Sequence, residues 1–375
     1  MKKLLTYLAI LVVVLTFDQG AAQDNLESVA RGLSLTGFFD IISSYQAVAI
    51  DNGRYALNQA ELDIEKELSR GISVEAAIAY DDELKSFGIG AAIIDMHPFG
   101  EQGEHLHPVL GITHSGIMAG KFDVPFGIEW QEYASIDRKL ISTPEIVEAT
   151  HEEWNDIGIQ LYAENSKADI SIYGVNGFES MAETTWMKLN LETNLYEEQI
   201  DQINTTPDNA FGGRIGIKPL THLEVGASYA WGINKSHKPE MTLKGLDCSF
   251  DDGIVNLKSE YIEHEKNRSI SKETTKGYYI QGSYQFGKPF AVLRLCSLKD
   301  DQENVRHDQL SFGCGYSLSE RAEVRCEYSV NSGAVEDVLN FQLAVGFCVK
   351  GGANCTVFCQ QASLGLIAGD HAFES

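Results

Sequence analysis

The chain has 375 residues, 54 acidic against 29 basic, for a net charge of −25. That balance argues against nucleic-acid binding, which needs Lys and Arg to neutralise phosphate. Hydrophobic residues make up 43%, too few for a helical membrane protein, and past the N-terminus no long uncharged apolar run occurs.

In chain order, Lys2 and Lys3 followed by the apolar run from Leu4 to Phe17 and the small residues Gly20-Ala21-Ala22 form an export signal, residues 1–22. The run is too short to span a bilayer. The mature chain is expected to begin near Gln23.

The rest of the chain is dominated by period-two alternation, the signature of strands with one apolar face. Sixteen segments qualify: 32–46, 54–68, 71–81, 86–96, 112–126, 155–164, 167–177, 208–218, 221–232, 240–250, 253–264, 274–287, 289–299, 306–318, 321–331 and 336–347. In 223–231, Leu223, Val225, Ala227, Tyr229 and Trp231 point one way and Glu224, Gly226, Ser228 and Ala230 the other. In the last segment, Leu339, Phe341, Leu343, Val345 and Phe347 alternate with Asn340, Gln342, Ala344 and Gly346. Strands of about ten residues behind an export signal predict an all-β fold, a transmembrane antiparallel barrel of about 16 strands with an apolar outer face. An arginine should therefore be disruptive at Val225 or Ala227 and mild at Ser228.

Connections alternate short and long. Short turns fall at 69–70, 165–166, 219–220, 251–252, 288 and 319–320. Longer polar loops fall at 127–154, 178–207, 233–239, 265–273, 299–305 and 332–335. Periplasmic turns and extracellular loops sort this way. The stretch 97–111 is too long for its side. The barrel is assigned to residues 23–347, and 348–375 to a disordered or artefactual tail.

Inward parity collects the candidate pore-lining residues Lys121, Asp123, Arg214, Lys218, Glu224, Lys258, Glu260, Arg294, Glu323, Arg325 and Glu327. Further inward acids are Asp40, Glu61, Asp63, Glu65, Glu75, Glu164 and Asp169. The acidic majority predicts a weak preference for cations. His105 and His107, with His97 and His114 nearby, have a spacing that could hold a transition metal, but a solvated acidic loop explains them better. No nucleophile motif or catalytic constellation occurs, and neither an enzymatic activity nor a cofactor is expected. Seven cysteines are present without a CxxC pair. Cys314 and Cys326 flank the 319–320 turn on the lipid-facing parity, either as an opposed pair or as small apolar residues.

The segment Ala119-Gly-Lys-Phe-Asp-Val-Pro-Phe-Gly127 resembles the G-[KR]-F-x-x-P-F-G stretch of outer-membrane porins of the phosphate-selective O/P type. The resemblance continues weakly through Glu129-Trp130, Asp137-Arg138 and Asn155-Asp156-Ile157-Gly158. It implies an outer-membrane channel of a Gram-negative bacterium. It also implies that 127–154, with Trp130, Asp137 and Arg138, is either a constriction loop folded into the lumen or a loop over the mouth. Pro144-Glu-Ile-Val-Glu148 suits a short helix. Phosphate selectivity does not carry over, because inward Lys and Arg are few. Phe341 and Phe347, closing the last strand, resemble the assembly signal of outer-membrane proteins.

The expected function is passive diffusion of small hydrophilic solutes. The alternatives are a substrate-specific channel, for an iron chelate or an oxyanion, and a non-conducting barrel serving as scaffold or adhesin. Expected partners are outer-membrane lipid and lipopolysaccharide, the permeating solutes, the barrel-assembly machinery and, compatible with the class, two further copies in a homotrimer.

Overall fold

The computed structural model describes residues 33–46, 53–81, 86–98, 111–152, 154–177, 184–190, 195–201, 209–233, 240–267, 272–301, 305–332 and 336–350. The export segment, His105 and His107, and residues 351–375 lie outside them.

Among the described residues there are eighteen strands, β1 (Leu33–Gln46), β2 (Tyr55–Ser69), β3 (Ile72–Asp81), β4 (Ser86–Met96), β5 (His114–Asp123), β6 (Asn155–Glu164), β7 (Ala168–Val175), β8 (Thr184–Asn190), β9 (Leu195–Asp201), β10 (Asn209–Leu220), β11 (Leu223–Ile233), β12 (Glu240–Asp251), β13 (Val255–Asn267), β14 (Lys272–Gln285), β15 (Pro289–Asp300), β16 (Val305–Ser319), β17 (Ala322–Asn331) and β18 (Val338–Lys350). Sixteen of them form one closed antiparallel barrel. All sixteen expected segments are among these strands, with ends shifted by a few residues.

Three details differ from the sequence reading. The 178–207 stretch, expected to be a loop, carries the β8–β9 hairpin, which forms its own two-stranded sheet while β7 pairs directly with β10. The last strand runs to Lys350 because β1 supplies partners beyond Phe347: Cys348, Val349 and Lys350 pair with Thr36, Leu35 and Ser34. The barrel thus extends three residues into the assigned tail. Finally, β5 is shorter than expected and pairs with β4 only from Ala92–Lys121 to Met96–Ile117, which leaves the upper part of β4 without a partner on that side.

The alternation is realised as predicted. Leu293, Leu295, Ile215, Ile217, Val225, Tyr229, Phe312, Tyr316, Phe341 and Phe347 are exposed on the outer surface, whereas Arg214, Ser228, Arg294, Arg325 and Glu327 are buried on the inner side. A continuous apolar exterior is unfavourable in water and suited to lipid, so the barrel is read as membrane-spanning. Closure pairs β1 with β18, where Gly37 lies opposite Phe347 and leaves room for its ring. Tyr45 packs edge-on against Phe341 at 6.0 Å.

The core lies inside the barrel. Phe122, Val124, Phe126, Ile146, Val147 and Trp154, from β5 and the segment after it, pack against Tyr173, Ala210, Ala230, Met241, Leu243, Ile262, Tyr279 and Cys296 of the wall. A second cluster joins Leu140 to Phe290 and Val292. The 124–154 segment therefore fills part of the lumen.

Val225→Arg places a charge on the lipid face and should reduce unfolding free energy by about 2–4 kcal/mol near the midplane. Glu75→Arg, on the inner face, should cost far less. Urea unfolding in lipid vesicles measures both, and equal losses would show the two faces to be wrongly assigned.

Candidate functional site: the inward-folded loop and the wall it faces

The loop begins where Lys121-Phe122-Asp123-Val124-Pro125-Phe126-Gly127 leaves the β5 ladder. Phe122, Val124 and Phe126 all bury to 1% exposure or less. Gly127 turns the chain at φ +65°, and any side chain there would collide with the Glu260 carboxylate. Its N–H donates to Ser228 Oγ at 3.0 Å, and the next N–H, of Ile128, donates to Glu260. The Phe-x-x-Pro-Phe-Gly pattern thus has a physical basis: apolar side chains seat the loop and a glycine lets it turn against a wall carboxylate. Ser228, expected to tolerate arginine as a water-facing position, is an anchor for the loop entry and only 5% exposed.

The loop then follows the wall. A 3-10 turn at Glu129–Glu132 brings two carboxylates to Lys258 on β13, whose Nζ lies 2.6 Å from Glu129 and 2.5 Å from Glu132. Tyr279 on β14 donates its hydroxyl to Glu129. Burial opposes the charge of Glu129, but the Lys258 ammonium and these hydrogen bonds overcome it and hold the carboxyl below its ordinary range. Gln59 on β2 accepts from the Ser135 N–H at 2.9 Å and from Arg138 at 3.4 Å. Arg325 on β17 donates to the carbonyls of Ser135 and Ile136 and pairs with Glu323 at 2.8 Å. Glu323 also holds Lys139 at 2.7 Å.

Beyond that, Glu327 accepts the N–H groups of Ile141 and Ser142 at 2.6 and 2.9 Å. Arg294, 1% exposed, donates to the Ser142 carbonyl at 2.6 Å. The expected helix is a single turn, α1 (Glu145–Glu148), with Pro144 at its N-cap and Ile146 and Val147 in the core. Phe126 meets His151 edge-on at 4.8 Å, and Trp154 donates to the Gly177 carbonyl at 2.9 Å. Inward glycines make room for the loop: a side chain at Gly245 would strike Phe126, and one at Gly313 would strike Leu140.

Of the sequence-predicted lumenal residues, Lys258, Glu260, Arg294, Glu323, Arg325 and Glu327 are brought together as anchors of this loop. Arg214, Lys218 and Glu224 form a separate group. There Arg214 meets Asp247 at 2.6 Å, Glu224 at 2.7 Å and Asp169 at 3.1 Å, and Lys218 lies 3.9 Å from Glu224. Lys121 reaches the Ile89 carbonyl on the unpaired upper part of β4 at 2.7 Å. Asp123 lines an interior cleft with Glu132, Tyr133, Arg138, Thr143 and Trp130, and lies within electrostatic range of Glu61 and Glu75. Asp137 is exposed at the loop surface next to Arg138. Glu61 lies within electrostatic range of Asp63. Asp40 is fully buried, held by Gln342 at 2.7 Å and Asn58 at 3.1 Å.

Sequence reading missed Gln59, Ser142, Asp247 and Tyr279 as members of the site. Tyr279 and Asp247 sit on inward parity, and Met241, Leu243 and Ile262 carry apolar side chains on that same parity, which was the available sign of an interior packing surface. His97 and His114 stack at 4.9 Å, beside Asp95 and Glu164 respectively. No metal-holding group of three is present among the described residues.

The site is thus a closed sixteen-stranded barrel with the long β5–β6 connection folded inside it. The sequence matches no known family model and no curated protein. Among solved structures, the chain is similar to the anion-selective porin of Comamonas acidovorans, 13% identical with a TM-score of 0.60 over 84% of this chain and 99% of that one. It is also similar to Salmonella typhi OmpF in complex with daunomycin, 13% identical and 0.58 over 84% and 97%. The trimer form of OmpT, an outer membrane protein of Vibrio cholerae, is 9% identical and 0.55 over 84% and 99%. These likenesses establish the shared barrel fold.

Glu327→Ala strips acceptors from two loop N–H groups and leaves Arg294 without its ion pair. Breaking one side of such a buried pair costs about 3–5 kcal/mol. Trypsin should then cut between Arg138 and Lys139 in the folded variant and leave the parent loop intact; equal resistance would mean the loop is held elsewhere. Burial pushes the His151 imidazole down from its ordinary 6.5 to about 4, against a weak opposing pull from Glu129. A seated His151 therefore binds a proton less tightly than a released one. The seat keeps this contribution above pH 6.5 and loses it as pH falls towards 4, by about 3 kcal/mol at most. The urea midpoint should fall more steeply over that range in the parent than in His151→Gln, and parallel profiles would exclude His151 as the cause.

Proposed function

We propose that this chain is a porin of the Gram-negative outer membrane, a passive diffusion channel for small hydrophilic solutes with a weak preference for cations and no enzymatic role. The observation that carries this reading is the loop pinned inside the lumen beside an acidic stretch of wall. Gln59, Arg138, Lys139 and Trp130 belong to the loop and its anchors. On the same stretch of wall as Gln59, Glu61, Asp63 and Glu75 lie close enough to feel one another's charge and that of Asp123 at the loop entry. Residues 127–154 act as the constriction loop, and Trp130, Asp137 and Arg138 border the path.

The interior cations do not balance the acids. Arg214 is shared by three carboxylates and Lys258 by two, so both neighbourhoods remain net negative. Arg294 and Arg325 are engaged with Glu327 and Glu323. A ladder of open Arg and Lys, which phosphate selectivity needs, is not what these side chains offer. The O/P-type resemblance is thus confined to the loop entry, where it reflects folding. The anion selectivity in the name of the Comamonas porin belongs to that protein. An apolar exterior supports contact with outer-membrane lipid and lipopolysaccharide, and the trimer form of OmpT supports a homotrimer as the working assembly. Phe341 and Phe347 on the exposed face of β18 remain the proposed signal to the assembly machinery.

The test is reconstitution into planar bilayers. A conducting pore with reversal potentials weakly favouring cations is expected, the preference shrinking at high salt as the Debye length shortens. Glu61→Lys combined with Glu75→Lys should shift it towards anions. Strong anion selectivity of the parent would refute the acidic-wall argument, saturation by one solute would indicate a specific channel, and absence of conductance would indicate a scaffold. Excision of 130–150 should raise conductance while the barrel still assembles and migrates faster on unboiled gels. Unchanged conductance would place the loop outside the permeation path.

A further inference from the structure

Four described cysteines are free thiols: Cys248, Cys296, Cys314 and Cys326. Cys248 faces Val225 and Ser259, and Cys296 faces Tyr279 and Gln309. Cys314 on β16 and Cys326 on β17 face each other across the ladder. They share the outer face with Phe312, Tyr316, Val324 and Tyr328, and the β16–β17 turn at 320–321 holds the register. Opposed residues in an antiparallel pair have Cβ atoms about 4.5–5.5 Å apart, and a disulfide needs about 3.5–4.5 Å. Closing the bridge therefore asks for a shift of about 1 Å.

We propose that Cys314 and Cys326 are a modification site: a cross-strand disulfide formed during export and carried into the membrane on the lipid face of the β16–β17 hairpin. The inference rests on the outer-membrane reading in one respect, passage through an oxidising compartment. Bond formation requires a thiolate, which lipid disfavours, so closure precedes insertion. The contact is local, twelve positions apart along the chain, so the hairpin brings the thiols together without the finished barrel. The oxidant is an oxidised dithiol carrier of the periplasm. One cysteine thiolate attacks a sulfur of the carrier disulfide, giving a mixed disulfide and a carrier thiolate. The second cysteine, deprotonated, attacks its partner's sulfur and expels the other carrier thiolate. The two cysteines lose two electrons and two protons, and the carrier is reduced to its dithiol. The bridge ties β16 to β17, the strand that pairs with the closing strand β18.

The full chain, taken from its cell membranes, is acid-quenched, alkylated in denaturant without reductant and digested. Cleavage at Arg321 and Arg325 separates the two cysteines, and cleavage at Glu336 separates Cys326 from Cys348. A linked Cys314–Cys326 peptide pair is expected, with Cys248 and Cys296 alkylated, and reductant should release the pair. Cys326→Ser should make Cys314 fully alkylatable, and so should a host lacking the periplasmic dithiol oxidase. Alkylation of both cysteines in the parent without reductant, or a bridge from Cys314 to a different cysteine, overturns the proposal. Free thiols in a chain that still fractionates with outer membranes would defeat the disulfide and leave the porin reading standing. A chain recovered inside the cell would defeat the porin reading itself.

Discussion

Everything in this structure depends on the absence of water around its outer surface. In lipid, each backbone N–H and C=O must find a partner within the protein, and a sheet can meet that demand only by leaving no edge. The β1–β18 pairing provides the closure, with thirteen consecutive residue pairs from Gln46–Val338 to Ser34–Lys350. Once the sheet is closed, side-chain alternation is compulsory: one residue faces lipid and the next faces the lumen. The apolar exterior and the polar interior are two consequences of the same geometry.

Closure creates a second problem, which is what to do with the space inside. A barrel of this size has an interior too wide for its own side chains to fill. Here the segment after β5 enters that space and builds an apolar core against β7 and β10–β15. The upper part of β4 consequently loses its neighbour, and the Lys121 ammonium satisfies one of the carbonyls exposed there, that of Ile89. The same bend therefore opens the sheet locally, delivers the loop, and carries Asp123 into the cleft it lines.

The loop is held by charge as well as by packing. Lys258, Arg294, Arg325, Glu260 and Glu327 would be costly as isolated buried groups, and each finds its partner in the loop backbone or in a loop or wall side chain. Such pairs fix position more than they add stability. On β2 and β3, Glu61, Asp63 and Glu75 lie within range of one another's charge and of Asp123.

The sequence by itself determined the barrel. Period-two alternation is a local property, and in stretches such as 223–231 and 339–347 each residue states which face it occupies. The number of barrel strands and their facing parity followed from it, as did the inward placement of Arg214, Arg294, Arg325 and Glu327. It also singled out the Gly-Lys-Phe segment and the short helix after Pro144. Only the tertiary structure decided where the loop goes, because its anchors, Gln59, Ser228, Lys258, Arg294, Arg325 and Glu327, come from five strands spread around the ring. Alternation says that Ser228 faces inward but not that Gly127 will be waiting for it. Which inward residues line water and which grip protein is settled by contacts between residues 76 to 190 positions apart, and no local pattern encodes them.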